Sequence, residues 1–195
     1  MVEKSEDIGK AKGAKRVGSP ATAKVGKGTP ITVKKRDMSP RALGLDILTR
    51  FYLGETDLEM MKRRALRYEN RTISDEEAVL AILTDMMRGS QDLQQKASLM
   101  EGIAEYQSTM GHDPRPVLSE MHKVELTFFK EMGFERVSLT CRKDACPHCK
   151  AHDGKVIPIA EALAKMPLPH PDCTKMPHSK ARPFCRCRYY GEYIG

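Results

Sequence analysis

Along residues 39–133, apolar side chains return every third or fourth position, the period of a helix with one buried face. The pattern is strongly punctuated. Ser39 followed by Pro40 reads as a helix N-cap with proline at the first helical position, opening a helix through Leu43, Ile47 and Phe51 that should stop at Gly54. Thr56 and Glu59 have the spacing of a capping box, ahead of Met60, Met61 and Leu66. Ser74 and Glu77 repeat that spacing, ahead of Val79, Leu80, Ile82, Leu83 and Met86, with Gly89 as the stop. Leu93, Ala97, Met100, Ile103 and Ala104 form the next stripe, ending at Gly111. Asp113 and Pro114 open the last one, which carries Val117, Leu118, Met121, Val124, Leu126, Phe128 and Phe129 up to Gly133. Glycine is expected to close each of these helices, because only glycine adopts the left-handed cap at no steric cost. The segment reads as a bundle of about five helices. No internal repeat is visible in it.

Beyond Gly133 the period falls to two. Phe134, Arg136 and Ser138 alternate with Glu135, Val137 and Leu139, which predicts a short strand. Asp153–Gly154 is a turn signal, and Lys155–Ile157 would be the returning strand of a hairpin. Residues 161–166 have helical character, which Pro167, Pro169 and Pro171 end. Arg188–Tyr190 is a last strand candidate. The fold class is therefore mainly α. Its parts are a basic extended tail over 1–38, a helical domain over 39–133, and a small α+β module over 134–195.

Charge sharpens this division. Residues 1–37 carry 10 basic and 4 acidic side chains, residues 38–140 carry 13 and 17, and residues 141–195 carry 10 and 5. The first segment is dominated by Gly, Lys, Ala, Ser, Thr and Pro, and its apolar content is too low to offset the entropy of ordering. Its cations Lys10, Lys12, Lys15, Arg16, Lys34, Lys35 and Arg36 are candidate contacts to DNA or another anionic partner. The alternative is a tail that charge merely keeps solvated. No apolar run approaches the roughly 18–20 residues of a membrane span, and the charged start has no apolar core of a secretory signal. A reducing compartment follows as the expectation. There, six cysteines point to metal or redox chemistry more than to disulfides. Twelve methionines, many on the helical stripes, read first as core filler and second as an adaptable binding surface.

The cysteines fall in three groups with a histidine among them: Cys146 and Cys149, His170 and Cys173, Cys185 and Cys187. A tetrahedral zinc site takes four thiolate or imidazole ligands, and a C-x2-C turn delivers two of them from one loop. Cys146 and Cys149 supply the first pair. The second pair comes from His170, Cys173, Cys185 and Cys187, and spacing alone does not choose among them. Cys141 reads as a spare thiol, and His148 and His152 as neighbours of the site or plain surface residues. Residues 141–195 have few large apolar side chains, so a structural Zn2+ would supply the stability that burial does not. Three enzyme classes fit the sequence less well. A thiol oxidoreductase needs a βαβ frame before its C-x2-C, and a zinc deaminase needs a His-x-Glu motif that this chain lacks. A metal-dependent nuclease using His170 or His178 lacks a second catalytic histidine–asparagine arrangement.

The order Cys146-x2-Cys149, Asp153-Gly154-Lys155-Val156, Pro167-Leu-Pro-His170-Pro and Cys185-Arg-Cys187 resembles the C-terminal end of phage head morphogenesis proteins, the minor head proteins of the Mu-F-like family. The likeness covers residues 141–190, about a quarter of the chain. It departs from the family pattern where Thr174 to Phe184 separate Cys173 from Cys185, and its helical part is shorter. The resemblance implies a non-catalytic virion component, found in the virion and the host cytoplasm. Its partners would be portal, capsid or connector subunits of a larger assembly, with the basic tail able to lie on DNA. A zinc-dependent nucleic-acid-binding protein using the basic ends is the alternative from a different class.

Overall fold

The computed structural model describes residues 39–173 and 184–193. The basic tail, with all seven of its candidate contact residues, lies outside the described residues. Five long helices come first: α1 (Pro40–Thr49), α2 (Glu55–Glu69), α3 (Asp75–Gly89), α4 (Leu93–Thr109) and α5 (Arg115–Glu131). They are followed by β1 (Arg136–Thr140), α6 (Pro147–Lys150), β2 (Val156–Pro158), α7 (Ile159–Lys165) and β3 (Arg188–Glu192). The fold is mainly helical, with a small three-stranded antiparallel sheet at the C-terminal end in the order β2-β1-β3. No helix among the described residues is long and apolar enough to cross a membrane.

The helix starts follow the sequence closely, with one correction. The Ser39 hydroxyl accepts the Ala42 N–H and Pro40 occupies the first turn. Ser74 and Glu77 close a reciprocal box at 3.1 and 2.8 Å. The box expected at Thr56 and Glu59 does not form. Helix α2 starts two residues earlier, with Gly54 at its cap, and Asp57 reaches back to the Gly54 N–H at 2.8 Å. That leaves Glu59 free to pair with Arg41 at 3.0 Å.

The helix ends depart further from expectation. Glycine in the left-handed region follows α4 at Gly111 (φ 88°) and α5 at Gly133 (φ 85°). Helix α2 instead stops at Asn70 (φ 51°), whose short polar side chain also tolerates that region. Helix α3 includes Gly89 and is capped by extended Ser90. Helix α1 stops at Thr49, short of Gly54. The chain turns through Tyr52 (φ 61°) there, and Phe51 packs back on the core.

Two apolar cores share α4. Leu43, Ile47 and Leu48 of α1, Leu58 of α2, and Val79, Ile82 and Leu83 of α3 close on Leu99, Ile103 and Tyr106 of α4. Met100 and Ala104, on another side of α4, pack with Leu118, Met121 and Leu126 of α5. That second core continues without a break into Val137 and Leu139 of β1, Tyr189 of β3, Leu168, and five cysteines. Burying both sides of α4 fits its low charge, with only Lys96, Glu101 and Glu105 charged among its seventeen residues.

Close approach fixes how α1 sits. A Cβ on Gly44 would lie 2.4 Å from Val79 Cγ2, and one on Gly102 would lie 3.2 Å from Ile47 Cγ2. The Tyr106 hydroxyl, from within the same core, donates to the Pro40 carbonyl at 3.1 Å. Replacing Gly44 by alanine should therefore overpack the α1–α3 contact and lower unfolding stability by about 1–3 kcal/mol. A urea titration of the variant against the parent measures this, and an unchanged midpoint would mean the helices separate freely.

Candidate metal centre

The hairpin formed by β1 and β2 does not close in a tight turn. Val137 pairs with Ile157, Leu139 and Lys155 continue the ladder, and residues 141–154 project from its end as one long loop. Gly154 (φ 74°) marks the return into β2, where the Asp153–Gly154 signal placed it. Within the loop, Cys146 caps the short helix α6, and its sulfur receives the Cys149 N–H at 3.4 Å. Proline at the first position of α6 suits that role. The loop is braced by Asp153, whose carboxylate accepts the Cys141 N–H at 2.8 Å.

The other cysteines are brought to this loop by two further segments. After α7 the chain passes a cis Leu168–Pro169 bond, and the Leu168 N–H donates to the Tyr189 hydroxyl at 3.2 Å. Cys173 follows, its N–H bonded to the His170 carbonyl at 2.9 Å. Cys185 and Cys187 lead directly into β3, which pairs along the whole of β1. Arg188, the first residue of β3, anchors this segment to the helices: it bonds Glu101 of α4 at 2.6 Å and also bonds Glu125 of α5. Burial opposes the charge on Arg188, but the two carboxylates outweigh it and hold its pKa above the ordinary value. Glu125 also bonds Nδ1 of the fully buried His122 at 2.8 Å, and the His122 ring meets Tyr189 edge-on.

Five thiols converge as a result. Cys146, Cys149, Cys173, Cys185 and Cys187 are all buried, and none is in a disulfide. Their sulfurs form two triads that share Cys149: Cys146, Cys149 and Cys173 in one, Cys149, Cys185 and Cys187 in the other, with sulfurs within 4.8 Å of one another in each. The Cys146–Cys173 separation is 3.6 Å and the Cys149–Cys185 separation 3.7 Å. Four sulfurs about 2.3 Å from a tetrahedral ion stand about 3.8 Å apart, so both separations match an edge of such a site. A cavity of about 10 Å³ is lined by Cys146, Cys173, Cys185 and Cys187. The C-terminal region thus holds clusters that can bind a metal ion.

The electrostatics show what binding must do. At Cys185, contact with Cys149 pulls the pKa down, but Cys173, Cys187 and burial raise it well above the ordinary thiol value. Cys187 is also raised, first by Cys149 and then by burial. These thiols are protonated at neutral pH, and a cation entering the cluster must displace their protons.

Of the residues singled out in the sequence, His170 is placed differently from the rest. It does not join either thiol triad. It groups instead with His148 and Asp172, partly exposed, on the other side of α6. Cys141 lies beside the cluster: its thiol donates to the Cys149 carbonyl at 3.2 Å, and burial raises its pKa. The histidine group was not visible as a unit in the sequence. The signal that could have exposed it is the four-residue spacing of His148 and His152, legible only once residues 147–150 are known to be helical. No family model, curated protein or solved structure matches this chain.

Cys149 belongs to both triads and Cys141 to neither. Cys149→Ser should weaken metal binding by about 100-fold or more, beyond what loss of a supporting group costs. Cys141→Ser should leave it within a few fold of the parent. Competition against a chromophoric chelator reads both, and equal losses in the two variants would contradict this assignment.

Proposed function

We propose that this chain is a non-catalytic structural protein of a phage head, whose C-terminal part is pinned by one structural Zn2+. The observation that carries the reading is the convergence of five buried thiols in two triads that share Cys149, with two sulfur separations that match a tetrahedral edge. Four thiolates in a closed, buried site suit a structural zinc, whereas catalytic zinc sites keep a position open to water. We assign Cys146, Cys149, Cys173 and Cys185 as the ligands. Cys185 is chosen over Cys187 because it contacts Cys149 at 3.7 Å and also reaches Cys173. Cys187 is in contact with Cys141 and is the spare thiol.

The head-protein part of the reading is supported by the ordered motifs of residues 141–190 and by surface chemistry. A groove of about 530 Å³ runs between α2 and α3, floored by Met60, Met61, Ile82 and Met86. Arg63 and Arg67 line it, and among the described residues neither makes an ion pair. Asp57 and Asp85 also line the groove, Asp85 pairing with Arg64, so a methionine-rich floor beside the two remaining arginines fits an amphipathic helix with an acidic side chain for each, presented by a neighbouring head subunit.

Elemental analysis of purified protein should return one zinc and no iron per chain. Cys185→Ser should lose that zinc and Cys187→Ser should keep it. Chelation should unfold the C-terminal part, since zinc sites of this kind supply on the order of 10 kcal/mol. Iron in place of zinc, or a zinc-free chain with unchanged melting, would overturn the metal assignment.

The assembly reading is tested separately. The chain should remain with purified heads at about 1 M salt, where exposed charges are screened beyond about 3 Å. Release by salt, in step with loss of DNA binding, would favour the nucleic-acid-binding alternative.

A further inference from the structure

The histidine group beside α6 is a second constellation that the thiol cluster does not use. His148 and His152 are four residues apart, one on α6 and the other in the turn that follows it. The ring of His170 stacks on His148 with centroids 5.2 Å apart and an 18° tilt, and lies 5.7 Å from His152. A nitrogen of each of His148 and His170 and an oxygen of Asp172 lie within 4.8 Å of one another.

We propose that His148, His170 and Asp172, with His152 alongside, form a second metal site that takes an exchangeable first-row divalent ion from solvent.

Imidazole nitrogen with one carboxylate oxygen suits zinc, cobalt or nickel and disfavours calcium or magnesium, which take oxygen donors. The geometry is partly preorganised. His148 rides on α6, whose inner side is held by Cys146 and Cys149. The loop carrying His170 and Asp172 is tied to α5 by Arg115, which donates to the Pro171 carbonyl at 3.2 Å. Nδ1 of His170 accepts the Asp172 N–H at 3.1 Å, so its lone pair faces Asp172, whose Oδ2 is 3.9 Å away. An ion bound there takes that lone pair in place of the amide hydrogen. The Asp172 side chain is 75% exposed and free to close the remaining gap.

Such an ion would clamp residues 148–152 to residues 170–172, across the two loops that carry Cys149 and Cys173. The site differs from the thiol cluster in exposure and in donor type, so its ion should exchange readily. The proposal stands whether or not the thiols bind zinc.

The test uses untagged full-length protein purified with added zinc, passed through a weak chelator, and titrated with Co2+. The expected result is a cobalt ion with weak ligand-field bands and no sulfur-to-cobalt charge-transfer band, together with a rise in melting temperature. A variant carrying both His148→Ala and His170→Ala should keep the parent's tightly held metal and bind this cobalt at least about 10-fold more weakly. Asp172→Asn should weaken it by a smaller factor without changing the tightly held metal. Absence of cobalt uptake, unchanged uptake in the double variant, or a sulfur charge-transfer band on the added ion would each overturn the proposal. Failure of the zinc reading shows elsewhere, as a chain without tightly held metal whose histidine-dependent cobalt binding persists.

Discussion

Five sulfur side chains sharing one buried volume organise the C-terminal part of this protein. They come from three segments separated by more than twenty and then by more than ten residues of chain, and each segment is held by a different device. The hairpin of β1 and β2 projects the loop with Cys146 and Cys149, the turn after Pro169 delivers Cys173, and β3 begins immediately after Cys187. Contacts with neighbouring cysteines and burial raise the pKa of Cys185 and Cys187, so the proposed ion would have to displace their protons to bind. The sulfurs share their core with Leu139, Ile159, Leu168 and Phe184.

The module is not a bead hung on the helices. Arg188 follows the last cysteine and bridges carboxylates on α4 and α5, while Tyr189 packs on His122. A partly buried guanidinium between two carboxylates is worth little as a net gain but costs much to leave half-made. It therefore fixes where the sheet sits on the helices. The second core, running from Met100 and Leu118 through Val137 to the cysteines, makes the same connection with apolar contacts. The proposed metal and the helical scaffold would consequently support one another.

The two clusters beside α6 divide the chemistry of one short helix. Cys149, with Cys146 at the cap, is buried in the core, and His148 next to it is exposed to solvent. The proposed closed site and the proposed open one thus adjoin at this helix. The methionine-floored groove lies on α2 and α3, whose buried residues belong to the other core, although Met87 of α3 also packs against the core that holds the cysteines.

Much of this was legible from residue order. The five helices, the Ser39 and Ser74 caps, the alternating strand before the cysteines and the short helix after the hairpin follow from local periodicity and capping, which act over a few residues. The thiols were legible as a candidate metal-binding set because cysteine has few other uses at such spacing, and the structure gathers five of them into clusters that could hold an ion. Choices between equivalent local partners were not legible. Asp57 in place of Thr56 and Glu59 at the start of α2, and Asn70 in place of a glycine at its end, depend on which neighbour Glu59 meets and how the chain turns. The placing of His170 with His148 and Asp172, away from the cysteines, depends on the path of the proline-rich loop around α6. Sequence by itself determined which side chains carry the chemistry and which segments are helical, because those are properties of composition and short-range period. Only the tertiary structure decided which of them meet, because that is set by contacts between segments whose separation along the chain carries no record of their distance in space.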